Sequence, residues 1–365
     1  MSLMSEVNAR AQRLGIPLST HLDITYRCNE RCEHCYLDHE DKGEMTTSEI
    51  KGILDQLAEA GVFFLTISGG EPLLRQDCFE ILRYARKKLF NVKLKTNAIL
   101  IREAQARLIR ELGIEQVQVS IYSHIPDAHD AITKVRGSLA RTVDAVRFLK
   151  SVGVKTTINS VLMQRTRDHY LGTQQLAKEL GVHFTIDPTI TPMMDGSTDV
   201  LKLRVSGDSL IPLFTDPNIV PDVDEFCALP GAVEEADLNS IPCSAGHTSC
   251  YISPYADVFP CVQFPLPTGN LRRQTFREIW YHSPQMNEVR SIRARDLHTC
   301  SGCSHVGTCS RCPGLAYSEG DMRGPSSADC DKSYTRTGIP SPRLAAAGAP
   351  RRNRLVQIQN SSAAD

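Results

Sequence analysis

The residues best suited to chemistry are three cysteines near the start of the chain. Cys28, Cys32 and Cys35 stand in the segment Cys-Asn-Glu-Arg-Cys-Glu-His-Cys-Tyr. Three thiolates in one short loop can hold three irons of a four-iron cluster and leave the fourth iron without a protein ligand. A structural zinc ion normally takes four protein ligands, so a loop with three fits that alternative poorly. We therefore predict an iron–sulfur cluster with one iron open to a small molecule.

A second group of cysteines occupies the last third of the chain. Eight thiolates are the number that two fully ligated four-iron clusters need. Zinc is the alternative, because the group contains two Cys-x2-Cys pairs. Only five residues separate these pairs, however, where a zinc ribbon usually has about 15 to 20, and four cysteines would have no use. The group consists of Cys243, Cys250, Cys261, Cys300, Cys303, Cys309, Cys312 and Cys330.

Composition and charge narrow the possible partners. The 365 residues include 41 basic and 42 acidic ones, a net charge of -1 that does not favour binding to nucleic acid. The sequence has no apolar run of the roughly 18 residues that a membrane helix needs, and its first residues lack the apolar stretch of a signal peptide. We therefore expect a cytoplasmic protein with no nucleic-acid or membrane partner. In that compartment disulfides are rare, so 13 cysteines indicate metal or redox chemistry.

Short apolar runs alternate with helical patterns between the two cysteine groups. Such alternation is typical of parallel strands joined by helices, and six units predict an α/β fold, an open partial (β/α)6 TIM-like barrel. Chemistry in this architecture lies at the carboxyl ends of the strands. We predict helices over Thr47–Ala60, Cys78–Lys88, Arg102–Leu112, Leu139–Val152 and Asp168–Leu180. The predicted strands are His21–Thr25, Val62–Ser68, Val92–Thr96, Val117–Tyr122, Lys155–Ser160 and Phe184–Asp187.

The Cys-x3-Cys-x2-Cys loop after the first strand resembles that of the radical S-adenosylmethionine (SAM) enzymes, and the resemblance covers roughly residues 19–200. It implies that the open iron binds SAM. The segment Ser-Gly-Gly-Glu-Pro at 68–72 resembles the part of the family that holds the amino group of SAM. Taken singly, each of the implied contacts could equally be structural. They are Gly69, Gly70 and Glu71 for the amino group, Asn97 and Ser120 for the methionine and ribose, Arg136 for the carboxylate, and Tyr36 for the adenine.

The second cysteine group resembles the SPASM extension of peptide- and protein-modifying radical SAM enzymes. That resemblance implies two auxiliary clusters with interleaved ligands. The chain departs from the usual pattern in having Ala256 where a glycine is common, and two residues instead of three before Cys312. Cys227 could also replace Cys250 as a ligand, whereas Cys78 is predicted to be a small buried side chain. The implied sets are Cys243, Cys250, Cys261 and Cys312 for the first cluster, and Cys300, Cys303, Cys309 and Cys330 for the second.

The resemblance implies an activity as well. Its cofactors would be SAM and three [4Fe-4S] clusters, and reductive cleavage of SAM would give a 5′-deoxyadenosyl radical that abstracts hydrogen from the substrate. We favour a ribosomally made precursor peptide in which a crosslink or an oxidised residue is formed, as in the maturase of pyrroloquinoline quinone synthesis. The alternatives are oxidation of a sulfatase residue and modification of tetrapyrrole side chains. An iron–sulfur electron carrier or redox sensor without turnover is the alternative that is not an enzyme.

Partners and domain boundaries follow from the same interpretation. We expect a flavodoxin- or ferredoxin-like electron donor. Because the first 18 residues cannot form a leader-binding domain, we expect the leader peptide to be recognised by a separate protein, by the barrel cleft or by the bridge at Val205–Glu235. Candidate proton acceptors are His124, Asp187 and Asp195. The Pro-, Ala-, Gly-, Ser- and Arg-rich end is expected to be a disordered basic tail. The predicted parts are an extension (1–18), the barrel (19–204), a bridge (205–240), the SPASM domain (241–332) and the tail (333–365).

Overall fold

A computed structural model describes residues 3–231 and 236–352 of the chain. These residues divide into two compact units, the first comprising Met1–Lys202 with Ser244–Arg290 and the second Leu203–Cys243 with Ser291–Asp365. The helices in chain order are α1 (Leu3–Leu14), α2 (Thr47–Glu59), α3 (Cys78–Lys87), α4 (Glu103–Glu111), α5 (Pro126–Thr133), α6 (Ser138–Ser151), α7 (Tyr170–Glu179), α8 (Ile211–Phe214), α9 (Val223–Phe226), α10 (Phe276–His282), α11 (Pro284–Ser291), α12 (Pro313–Ser318), α13 (Ser327–Thr337) and α14 (Pro342–Ala346).

The first unit is built on a nine-stranded sheet in the order β6-β5-β4-β3-β2-β1-β7-β8-β9. Strands β1 to β6 are all parallel, which confirms the predicted partial barrel. The sheet continues beyond it, because β7 pairs with β1 in parallel and leads into two antiparallel strands. The strands are β1 (Ser19–Asp23), β2 (Phe64–Ser68), β3 (Asn91–Thr96), β4 (Gln116–Ser120), β5 (Thr156–Val161), β6 (His183–Asp187), β7 (Ser249–Ile252), β8 (Asp257–Phe259) and β9 (Gly269–Asn270).

Residues 244–290 lie in the middle of the second cysteine group, and we expected them in a separate SPASM domain at 241–332. The structure instead assigns them to the barrel unit, where they form β7 to β9, α10 and nearly all of α11. Cys250 stands on β7 next to its partner Thr20 on β1. The cysteine-rich region therefore contributes to both units.

The two faces of the sheet differ in polarity. Leu22, Ile67, Leu94 and Val117 form one row across four strands and are fully buried beneath the surrounding helices. Helix α2 supplies part of that cover with four buried side chains, and it begins at a capping box between Thr46 and its third residue. The opposite face carries polar side chains at alternate positions of β1 to β4, for example the row of His21, Thr66, Lys93 and Gln116. The inside of the partial barrel is therefore polar.

The second unit contains α8, α9 and α12 to α14. Helix α13 packs against α8 and α14, and it ends at Gly338, whose φ of 71° only a glycine adopts without cost. Ser341 then caps α14 by accepting a hydrogen bond from the backbone of Leu344. The predicted disorder of the tail is thus wrong for residues 333–352. Residues 353–365 of that predicted tail lie outside the described residues.

Basic side chains of this segment are held within the second unit. Arg336 is 7% exposed and donates to the carbonyl oxygens of Phe226 and Thr308 at 3.1 and 3.2 Å. Arg343 pairs with Glu319 at 2.8 Å. Composition alone indicated a solvated segment because it ignores caps and such partners. Every helix among the described residues is too short or too polar to span a membrane.

Candidate functional site

The three-cysteine loop follows β1, at the edge of the sheet where the parallel strands end. It is tied to the end of α5 by backbone hydrogen bonds from Arg31 to Thr133 and from Glu33 to Ile132, at 3.0 and 3.1 Å. All three of its cysteines line one cavity of about 310 Å³. The loop lies where the barrel architecture predicts chemistry.

The environment of these cysteines suits a cluster better than a single ion. Burial raises the pKa of the Cys28 thiol to about 12 and that of Cys35 to about 11. Such thiols become thiolates only when a metal site supplies compensating positive charge. Among the described residues, no three His, Cys, Asp or Glu side chains converge as ligands of one ion. Three cysteines that line one cavity match the three protein ligands of a four-iron cluster with one open iron, whereas a structural zinc ion normally takes four.

The two glycines after β2 are required by the protein's own backbone. Gly70 donates to the carbonyl oxygen of Thr25 at 2.8 Å, and the next amide donates to that of Arg27 at 2.9 Å. A Cβ on Gly69 would lie 2.1 Å from the Thr25 oxygen, and one on Gly70 would lie 2.4 Å from the Arg27 oxygen. Gly69 also has a φ of 141°. These glycines therefore fix the end of β2 against the segment that leads into Cys28, and both line the cavity.

Glu71 occupies a different position from the one we expected. Its side chain is fully buried, and it is not among the residues that line the cavity. Its carboxylate accepts hydrogen bonds from the hydroxyl of Thr96 at 2.8 Å, the amide of Asn97 at 2.8 Å and the amide of Leu73 at 3.0 Å. Burial raises the pKa of Glu71 to about 7, although these donors act in the opposite direction. The carboxylate thus connects the end of β2 to the end of β3.

The remaining predicted cofactor contacts divide into two groups. Tyr36, Asn97 and Ser120 line the same cavity as the cysteines, and the Asn97 amide donates to Asn29 in the cysteine loop at 2.7 Å. Arg136 is exposed and lies outside the cavity lining. The structure therefore brings together three of the four, and their contacts with SAM remain predictions.

Of the predicted proton acceptors, only Asp187 lines the cavity. His124 and Asp195 are exposed and outside the lining. We missed His21, whose Nε2 atom lies 3.1 Å from Oδ1 of the fully buried Asp23. The other oxygen of Asp23 accepts a hydrogen bond from the Tyr251 hydroxyl at 2.8 Å. This arrangement holds a histidine ring at the cavity.

Two further cavity residues were also missed. Lys95 on β3 lines the cavity, and burial lowers its pKa while Asp23 and Asp187 act in the opposite direction. His34 precedes the last cysteine of the loop, and its ring meets that of Tyr122 edge-on at 4.5 Å between centroids. Burial lowers the pKa of His34 to about 4, so it is a neutral aromatic ring at pH 7. The signal for Lys95 was available, because polar residues at every second strand position indicate a polar face.

The second unit has its own cysteine cavity, with a volume of about 200 Å³. Cys300, Cys303, Cys309 and Cys330 all line it, and these are the four implied ligands of the second auxiliary cluster. Three belong to the loop before α12, and Cys330 belongs to α13. The hydroxyl of Ser333, one turn along α13, lies 3.4 Å from the sulfur of Cys309. The donor set and the enclosure both fit a four-iron cluster.

The other implied ligand set is divided between the units. Cys250 and Cys261 belong to the first unit, Cys243 and Cys312 belong to the second, and their grouping stays a prediction. Ala256 has a left-handed φ of 70°, which explains why a glycine is usual at that turn. Cys227 and Cys78 are both buried, and Cys78 lies in the hydrophobic core as predicted.

Comparisons with known proteins agree with this arrangement. Residues 22–177 match the Radical SAM superfamily, and residues 243–313 match the SPASM iron–sulfur cluster-binding domain. These two descriptions confirm SAM and iron–sulfur clusters as cofactors, whereas the number of three clusters remains a prediction.

Curated relatives and solved structures extend the match over most of the chain. The AdoMet-dependent heme synthase of Methanosarcina barkeri is 28% identical over 323 residues, which cover 81% of this chain and 90% of that protein. The mycofactocin maturase MftC of Mycobacterium tuberculosis is 28% identical over 308 residues, covering 81% and 78%. Streptococcus suis SuiB bound to its precursor peptide SuiA shares the fold with a TM-score of 0.71 at 19% identity, covering 90% of this chain and 80% of SuiB. The chain therefore contains a radical SAM domain, followed by a SPASM iron–sulfur cluster-binding domain.

Proposed function

We propose that this enzyme modifies a residue of a ribosomally made precursor peptide, forming a crosslink or an oxidised side chain. The observation that carries the proposal is the size and polarity of the cavity at the cysteine loop. Its volume of about 310 Å³ is at the lower end of the roughly 300 to 1,000 Å³ typical of ligand pockets. The cavity is lined by His21, Lys95 and Asp187, which are polar side chains that can bind peptide groups beside SAM.

The relatives support two candidate functions. MftC and the Bacillus subtilis protein AlbA of subtilosin biosynthesis, which is 26% identical over 305 residues, are named for peptide products. The heme synthase of M. barkeri favours tetrapyrrole modification as the second candidate. Two of these three relatives are named for peptide products, and we therefore place the peptide first.

Each part of the site has a proposed task. Cys28, Cys32 and Cys35 would hold the cluster, and SAM bound there supplies a 5′-deoxyadenosyl radical. His21 would take a proton from the substrate at Nδ1 if Nε2, which lies 3.1 Å from Oδ1 of Asp23, donates to that carboxylate. Tyr251 keeps the Asp23 carboxylate oriented. The four cysteines of the second unit would hold a cluster that receives the electron left by bond formation.

Two partners complete the proposal. Reductive cleavage of SAM consumes an electron, so we propose a flavodoxin- or ferredoxin-like donor. We also propose that a separate protein recognises the leader segment of the precursor peptide.

The test uses anaerobically reconstituted enzyme with SAM and dithionite. Short peptides encoded beside this gene, deuterated at candidate residues, are compared with a deuterated tetrapyrrole that carries carboxylate side chains. We expect deuterium in 5′-deoxyadenosine only with a peptide, and no 5′-deoxyadenosine from the Cys28→Ala variant. Deuterium transfer from the tetrapyrrole alone would establish the second candidate. Absence of 5′-deoxyadenosine under all conditions would point to an electron carrier or redox sensor.

A further inference from the structure

Arg311 lies between two cysteines in the second unit and lines the cavity formed by Cys300, Cys303, Cys309 and Cys330. It is only 8% exposed. A buried guanidinium is costly unless its charge and its donors are satisfied. The position of this side chain therefore needs an explanation beyond packing.

Two of the three guanidinium nitrogens are anchored. Nε donates to the carbonyl oxygen of Gly324 at 2.7 Å, and Nη2 donates to that of Met322 at 2.5 Å. The third nitrogen, Nη1, is buried and has no hydrogen-bond partner among the described residues. The side chain is thus held rigidly with one donor nitrogen unused.

The charge of Arg311 is also not neutralised by a close carboxylate within the described parts of the chain. Asp329 lines the same cavity, but its carboxylate accepts from Lys332 at 3.1 Å and from the Cys312 amide at 2.8 Å. Asp321 is near enough for Arg311 to help lower its pKa, but it pairs with His298 at 2.8 Å. Both the unused donor and the unpaired charge therefore call for an anionic ligand in the cavity.

A four-iron cluster held by four thiolates has these properties. It carries net negative charge, which grows by one when the cluster takes up an electron, and its sulfurs accept hydrogen bonds. A fixed cation beside it stabilises the reduced form more than the oxidised form, and the effect is strong where water is excluded. We propose that Arg311 is the counter-ion of the second auxiliary cluster and raises its reduction potential through the guanidinium charge and a hydrogen bond from Nη1. This inference rests on the proposed ligand set of that cavity.

The experiment measures the midpoint potential of this cluster in full-length reconstituted protein, by redox titration monitored with electron paramagnetic resonance. The signal that belongs to this cluster is the one lost in Cys330→Ala. We expect Arg311→Gln to lower the midpoint potential of this cluster by at least about 59 mV, which for one electron is a tenfold fall in the ratio of reduced to oxidised cluster at a given potential. Arg311→Lys keeps the charge and should shift the potential less. Arg295→Gln is the matched control, since Arg295 is an exposed arginine of the same unit, and it should change nothing.

Each outcome decides the proposal. An Arg311→Gln protein with full iron content and an unchanged potential would refute it. If Arg311→Gln fails to hold this cluster, Arg311→Lys becomes the test, because lysine restores the charge but not the double anchor to Met322 and Gly324. Retention of the cluster by Arg311→Lys supports the counter-ion role, whereas its loss shows that the anchor alone matters and refutes the proposal. No peptide is needed, so a wrong peptide assignment does not affect the result.

Discussion

Glu71 offers the sharpest test of how the end of β2 is held to the end of β3 beside the cavity. Among the described residues, Glu71 is the one acceptor of the backbone amides of Leu73 and Asn97, and replacing it with alanine removes that acceptor as well as the acceptor of the Thr96 hydroxyl. A buried donor left without a partner costs roughly 1–3 kcal/mol. Leaving the two amides unpaired therefore costs about 2–6 kcal/mol in total. We expect Glu71→Ala to lower the free energy of unfolding by about 3 kcal/mol or more.

The assay is urea unfolding followed by the fluorescence of Trp280, the single tryptophan of the chain. Trp280 is fully buried in the first unit, and its indole nitrogen donates to the carbonyl oxygen of Gly15 at 2.6 Å. Its signal therefore reports on the unit that contains Glu71. Glu59→Ala is the control, because Glu59 is exposed at the end of α2 and its loss should change stability by less than about 0.5 kcal/mol.

The affinity for SAM is measured on the same variants under native conditions. If the Glu71 carboxylate holds the ends of β2 and β3 together, Glu71→Ala lowers the free energy of unfolding by a large amount. The affinity for SAM then falls because the ends of these strands are displaced. A Glu71→Ala protein within about 1 kcal/mol of wild type whose SAM affinity falls tenfold would refute this reasoning. Direct contact between the carboxylate and the cofactor, as the sequence first indicated, would then be correct.

Three other predictions address neighbouring features. Gly70→Ala should abolish soluble expression, because its Cβ would lie 2.4 Å from a backbone oxygen of Arg27 that cannot move without the cysteine loop; normal yield with full iron content would contradict this. Cys330→Ala should remove about four irons per chain and reduce product formation while leaving SAM cleavage measurable, as determined by iron analysis and 5′-deoxyadenosine yield. The pKa of Glu71 rises from 4.5 in the unfolded chain to about 7 in the fold, so the free energy of unfolding should fall as pH rises between these values. Urea unfolding across this pH range should show a smaller fall in the free energy of unfolding for Glu71→Gln than for the wild type.

Local patterns predicted the barrel well. The six strands begin and end within about two residues of their predicted bounds, because clear turn signals delimit each apolar or alternating run. The capping box at Thr46 lies in the sequence itself and forms as such. The three-cysteine loop was predictable for the same reason, since its ligands are close in sequence.

Features that depend on distant residues were not predictable. Nothing in the sequence around Glu71 shows that its carboxylate oxygens accept a hydrogen bond from Thr96 at the end of β3, 25 residues later. The pairing of His21 with Asp23 is local, but its importance depends on Tyr251, which only the folded sheet brings to that carboxylate. The ordered segment at 333–352 was missed because its composition outweighed the caps at Gly338 and Ser341.

The place of β7 beside β1 has a consequence for synthesis on the ribosome. Thr20 on β1 and Cys250 on β7 are 230 residues apart in sequence. One edge of the barrel sheet therefore keeps its backbone donors and acceptors unpaired until nearly 70% of the chain has been made. An unpaired strand edge is a site of aggregation. A nascent chain released at residue 204, although it contains all six barrel strands, should therefore associate through the exposed edge of β1.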